Sequence, residues 1–269
     1  MSDHQSTEDE PAELPPYRAV LVVDTKEFGS NSDPGQQRLA EIIPDVLARA
    51  FERAGLGNVW SQALFPHNTG DGFGIGFPTR HLPAVVSKVL DTLQDILAER
   101  HRQLRGHGLR LRMRASLNVG PVREPDPDGM TAVVGNTVIT THRLLDAAPV
   151  RALLTRSDPD QTFLSVALSQ RVFEDVVASG YSTLPLSRVV PTPVQVKEFT
   201  GTVYLYVPNP SGELLDRGLG DHQQDAVTAE QVGPPRRRGG VTNIMTGTHG
   251  GTAIQVGHLH GGLHTGDDR

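Results

Sequence analysis

Two carboxylates and one guanidinium have the surroundings in this sequence that suit chemistry. Asp24 ends the apolar run Ala19 to Val23, and Asp71 lies between Gly70 and Gly72 in the turn Asn68-Thr69-Gly70-Asp71-Gly72. Two carboxylates held close together repel unless a cation sits between them. Hard oxygen ligands of this kind suit Mg²⁺ or Mn²⁺. The glycines on either side of Asp71 leave the backbone open, so a phosphate or a metal-bound oxygen can approach closely. The plainer alternative is that Asp24 caps a turn and Asp71 is a turn residue. Arg143 stands two turns into a helix that starts at Gly135-Asn136-Thr137-Val138. Its planar donors match the equatorial oxygens of a phosphoryl group in a transition state. The alternative there is a solvated arginine on an amphipathic helix.

The elements that must position these residues can be read from periodicity. Ala19 to Val23 has the length and continuity of a buried strand. Leu39, Ile42, Ile43, Val46, Leu47, Ala50 and Phe51 recur at helical spacing. Val59 to Phe65 and Phe73 to Phe77 read as the strands of a hairpin around the Asp71 turn. Val85 to Leu97 repeats the helical pattern, and Leu109 to Leu117 alternates with Arg110, Arg112, Arg114 and Ser116 as a half-buried strand. A helix follows Gly135, then a strand near Phe163 to Val166, a helix near Val172 to Val177 and a closing strand from Thr202 to Val207. The β-α-β-β-α-β order predicts an α+β fold with a ferredoxin-like core, its helices on one face of an antiparallel sheet.

Composition limits the function classes. The chain has 269 residues, no cysteine and a formal net charge of −6. That length suits one domain with tails or two small ones, and the absence of cysteine excludes disulfides, thiolate metal sites and a Cys nucleophile. No apolar run reaches the roughly 20 residues of a membrane span, and Met1 to Glu10 has no signal-peptide pattern. The acidic balance offers no footprint for duplex nucleic acid. A cytoplasmic globular protein with no membrane or nucleic-acid partner is expected. Residues 1–16 read as an acidic tail, 17–207 as the folded domain, 208–240 as a linker and 241–269 as a Gly/His-rich tail.

Taken in order, the segments VLVVDTKEFGS, NTGDGFGIGF, LRMRASLNVGPV and VVGNTVITTHRLLD resemble the catalytic domain of class III nucleotidyl cyclases. Val196-Lys197-Glu198-Phe199 and the strand that follows resemble the end of that domain, and RLLDAAPVRALL is similar to an actinobacterial cyclase-like variant. The resemblance covers residues 17–207. It implies that Asp24 and Asp71, with Thr25 beside them, hold two divalent ions, and that Arg143 stabilises the transition state. It further implies nucleotide contacts from Phe28, Gly70, Gly72 and His67, a nucleoside triphosphate as substrate, and a homodimer in which one subunit supplies the Asp pair and the other the arginine. Two positions depart from the family pattern. Ile139 stands where an Asn usually orients the ribose four residues before the arginine, and His67 stands where a base-reading Lys is common.

In the tail, Ile254, Gln255, Val256 and Gly257 form a short uncharged β-prone run of the kind that stacks in cross-β assemblies. The run resembles the core of the RIP homotypic interaction motif and of bacterial amyloid signalling motifs. That implies self-association, or a signalling partner with a matching motif. A flexible Gly-rich tail is the alternative, and a third is a metal tail built on His258 and His260. The reading as a whole is a metal-dependent nucleotidyl cyclase in signalling or anti-phage defence. The other reading is a degenerate cyclase-like module that binds nucleotide or dimerises while its tail carries the interaction. A dinucleotide-forming palm is disfavoured, since no Gly-Gly-Asp-Glu-Phe-like hairpin is present.

Overall fold

A computed structural model describes residues 12–124, 133 and 135–220. The tail positions Ile254, Gln255, Val256 and Gly257 lie outside the described residues. Seven strands form one sheet: β1 (Tyr17–Thr25), β2 (Leu64–Asn68), β3 (Gly72–Pro78), β4 (Met113–Pro121), β5 (Leu164–Ser169), β6 (Val190–Val196) and β7 (Phe199–Tyr206). The helices are α1 (Asp33–Arg53), α2 (Gly57–Ser61), α3 (Leu82–Ala84), α4 (Leu90–Arg105), α5 (Asn136–Asp146), α6 (Ala148–Thr155), α7 (Gln170–Val172) and α8 (Glu213–Arg217). The spatial order is β2-β3-β1-β4-β5-β7-β6. The first four strands pair with one another antiparallel and make the expected β-α-β-β-α-β core. Beyond β4 the sheet is extended by a parallel β4–β5 pair and an antiparallel β5–β7–β6 run.

Strand alternation sorts the side chains of β1 onto two faces. Ala19, Leu21 and Val23 join Ile75, Phe77, Ala115 and Leu117 against α1 and α4. Val20 and Val22 point the other way and pack with Val122, Val138 and Leu145. The two helices of the six-element core therefore lie on one face, as expected, and α5, which follows that core, covers the other. Farther along this second face, Leu144, Ala147, Val150 and Leu153 pack on Ala167, Val203 and Leu205. Each fully buried Leu, Val or Phe side chain contributes roughly 1.5–3 kcal/mol, so both faces drive folding.

Several local expectations shift. The run expected as a strand from Val59 splits into α2 and a later β2, because Trp60 is held between Phe51 and Phe73, with ring centroids 5.7 and 5.5 Å away. β6 carries Pro191 and Pro193 at positions that face outward from an edge strand, the one place in a sheet where proline costs no ladder bond. α8 lies in the stretch read as linker, and its Leu214 is buried.

Candidate active site

Asp24 is the last residue of β1 before Thr25, opposite Gly72 of β3 and Arg114 of β4. It shares the parity of Val20 and Val22, so its carboxylate faces the α5 side of the sheet. Asp71 is tied to the same strand end, since the Thr25 N–H donates to the Asp71 carbonyl at 2.8 Å. The turn is shaped locally: the Gly70 N–H donates to Asn68 Oδ1 at 2.7 Å, Gly70 has φ +88°, and Thr69 Oγ1 donates to Asp71 Oδ1 at 3.0 Å. Gly72 permits a close approach. A Cβ there would lie 2.1 Å from the Val23 carbonyl oxygen and 3.1 Å from the Asp24 Cα.

Arg114 is the immediate partner of Asp24. Its Nε donates to Oδ1 at 2.7 Å and its Nη2 to Oδ2 at 2.5 Å, with both side chains largely buried, 15% and 17% exposed. Burial pushes the Asp24 carboxyl above its usual range, Arg114 pulls it back, and the negative charges of Asp71 and Asp146 push it up again. Asp24 and Asp71 thus feel one another, and Arg114 supplies the positive charge that the pair needs.

The donor chemistry of Asp24 and Asp71 fits a hard divalent cation, two carboxylates on adjoining backbone segments. Among the described residues no group of three or more His, Asp or Glu side chains gathers around such an ion. A cation at this point shares Asp24 with Arg114. Thr25 is 4% exposed, and its hydroxyl has no hydrogen-bond partner among the described residues. By strand alternation that hydroxyl faces away from Asp24, so the contribution of Thr25 here is its backbone bond to Asp71.

The other expected residues are placed as follows. The His67 ring lies over Gly74, where a Cβ would meet it at 2.1 Å, and tilts against His142 of α5 with centroids 5.7 Å apart. Burial and the neighbouring His67 hold the His142 imidazole below its usual range, opposed by Asp146 and Asp71. Phe28 is partly buried and packs against the core cluster that β1 shares with α1 and α4. Arg143 lies on α5 and pairs with Glu198. It lines a groove of about 520 Å³ together with Asn136, Thr140, Tyr17 and Arg171. Neither carboxylate borders that groove, and the charges acting on Asp24 are Arg114, Asp71 and Asp146. Ile139 is 43% exposed on α5 and does not line the groove.

Arg114, His142 and Asp146 were not marked by the sequence reading. The available signal was the run Arg114, Ser116, Asn118, Gly120, which continues one parity of β4 under α5. Ser116 Oγ donates to the Thr141 carbonyl at 2.7 Å, and Asn118 Nδ2 to that of Thr137 at 3.1 Å.

No family model and no curated protein matches the chain. Among solved structures it is similar to the guanylyl cyclase Cya2, at 19% identity and TM-score 0.51 over 74% of this chain and 94% of that one. It is similar to the adenylyl cyclase CyaB from P. aeruginosa at 13% identity and TM-score 0.46, over 71% and 92% of the two chains. A third is the guanylate cyclase domain of RhGC from Catenaria anguillulae in complex with GTP, at 16% identity and TM-score 0.46, over 74% and 100%. The likeness to Cya2 shows the fold: the described chain has the architecture of a nucleotidyl cyclase catalytic domain.

Proposed function

We propose that residues 17–207 form a metal-dependent nucleotidyl cyclase that converts a nucleoside triphosphate to a 3′,5′-cyclic nucleotide and pyrophosphate. One observation carries this reading: on a cyclase fold, Asp24 and Asp71 are held at one strand end by the Thr25 to Asp71 backbone bond and the close approach at Gly72. Asp24 and Asp71 would hold Mg²⁺ or Mn²⁺, which when bound supplies charge neutralisation at a triphosphate and acidifies a hydroxyl. Arg114 favours the ionised form of Asp24 against burial and fixes its orientation. The ribose 3′-hydroxyl gives its proton to bulk water, its oxygen attacks the α-phosphorus in line, and the bond to the pyrophosphate oxygen breaks, releasing pyrophosphate. Arg143 donates to the non-bridging oxygens as charge accumulates on them. Asp24 and Asp71 do not line the groove that holds Arg143, which supports a homodimer whose sites draw on both subunits.

The second reading, a non-catalytic module, is favoured by Ile139, an apolar side chain exposed on α5 where the family pattern has an amide. Liquid chromatography of reactions with ATP, GTP, CTP and UTP and Mn²⁺ separates the two. The cyclase reading requires a cyclic product that disappears in Asp71→Ala, and no product from any of the four supports the module.

A further inference from the structure

We propose that a small pocket beside the end of β1, lined by Lys26, Arg110 and Arg112, binds a phosphate dianion, free or as the end of a polyphosphate. The pocket measures about 200 Å³ and is bordered by Lys26, Glu27, Arg110, Arg112, Thr155 and Ser157. It is separate from the groove that contains Arg143, and the inference stands whether or not the chain makes a cyclic nucleotide.

The basic residues are gathered by strand geometry. Arg110 and Arg112 are two apart in the lead-in to β4 and so project to one side. Lys26 is brought beside them because β1 and β4 stay paired past their ends, the Lys26 N–H donating to the Arg112 carbonyl at 2.8 Å. The three cations meet one carboxylate, Glu27, which pairs with Lys26 at 2.9 Å and is itself well exposed. Asp158 and Asp160 also act on Arg112 from behind the lining, so the cations outnumber the carboxylates only among the side chains that border the pocket.

Arg112 anchors the site. It is 6% exposed, with Nε donating to the Thr162 carbonyl at 2.9 Å and Nη2 to Ser157 Oγ at 2.8 Å. These bonds fix the plane of the guanidinium, while Nη1 makes no hydrogen bond among the described residues. Burial pushes the pKa of Arg112 down and Arg110 adds to this, while Glu27, Asp158 and Asp160 oppose it. A preorganised guanidinium next to a second arginine and a lysine suits a tetrahedral oxyanion. The lining has no aromatic side chain on which a nucleobase could stack, and the volume suits one phosphate group with its water.

The test uses the full chain in EDTA, titrated calorimetrically with orthophosphate and, in a second arm, with tripolyphosphate. Saturable binding is expected, weakened about 10-fold or more in Lys26→Gln and in Arg110→Gln, since each removes a charge-assisted hydrogen bond. Arg110 is exposed and Lys26 half-buried, so unchanged thermal stability of these variants separates lost binding from unfolding. Tighter binding of orthophosphate assigns the free ion, and tighter binding of tripolyphosphate assigns a polyphosphate end. No saturable binding of either, or equal binding by the Lys26→Gln/Arg110→Gln double variant, overturns the proposal.

Discussion

Arg114 grips Asp24 through two parallel hydrogen bonds, across a pairing that joins positions 90 residues apart in sequence. A cluster of two interacting carboxylates under α5 is tolerated because this guanidinium sits among them. Removing it leaves Asp24 largely buried with Asp71 and Asp146 as its charged neighbours. Arg114→Ala should therefore lower the unfolding free energy by about 3–5 kcal/mol, the range for breaking a buried pair. Urea denaturation checks this, and added Mn²⁺ should recover part of the loss by replacing the missing positive charge.

The turn glycines separate two kinds of backbone demand. Gly72→Ala places a methyl group against the Val23 carbonyl and should cost about 1–3 kcal/mol, as overpacking does. Gly70→Ala meets open space but a left-handed backbone, so its cost should be about 1 kcal/mol. Denaturation midpoints for the two variants give the comparison directly. Any cyclase activity should fall far more in Gly72→Ala, because that change shifts Asp24 and Asp71 apart.

Arg143→Ala should reduce turnover by about 10²–10³-fold, the scale for losing one transition-state donor. Its partner Glu198 is 78% exposed, so stability should move by no more than about 0.5 kcal/mol. Steady-state kinetics alongside a thermal melt would distinguish a chemical role from a structural one.

Because the carboxylates do not line the groove that holds Arg143, two inactive variants should complement each other. Mixed in equal amounts, Asp71→Ala and Arg143→Ala chains should regain about a quarter of wild-type activity, since half of randomly paired dimers carry one intact site of two. Mixtures that stay inactive after subunit exchange would place both groups in one chain's site.

His142 gives a pH signature. Its pKa in the folded protein lies below the ordinary value of 6.5, chiefly through burial. The folded state therefore binds this proton less readily than the unfolded one. Its contribution is present above about pH 6.5 and is lost as pH falls through the lower folded value. Urea midpoints measured from pH 7.5 to 5 should fall more steeply for the wild type than for His142→Asn.

How much of this was legible depended on whether the signal was local. The Asn68 to Gly72 turn and the end of β1 at Asp24 carry their own chemistry, and the structure puts both where their residue types predict. β4 was read as half-buried because Arg110, Arg112 and Arg114 alternate with apolar residues. In the fold that face lies under α5 and α6, and Arg112 and Arg114 are neutralised or hydrogen-bonded by residues 45 to 90 positions away. Periodicity detects a polar face but not what will cover it. β6 was missed for a similar reason: Pro191 and Pro193 argue against a strand until its place at the sheet edge is known. That Arg143 opens onto a groove that Asp24 does not line follows from how α5 crosses the sheet, which no spacing in the sequence encodes.

The central claim is that Asp24 and Asp71 hold a divalent ion at a nucleotide. Mn²⁺ binding followed by electron paramagnetic resonance, on the full chain with a non-hydrolysable nucleoside triphosphate, tests it most directly. Tight, saturable Mn²⁺ binding that is abolished in both Asp24→Asn and Asp71→Asn is the predicted result. Mn²⁺ affinity that is unchanged by either substitution would contradict the account.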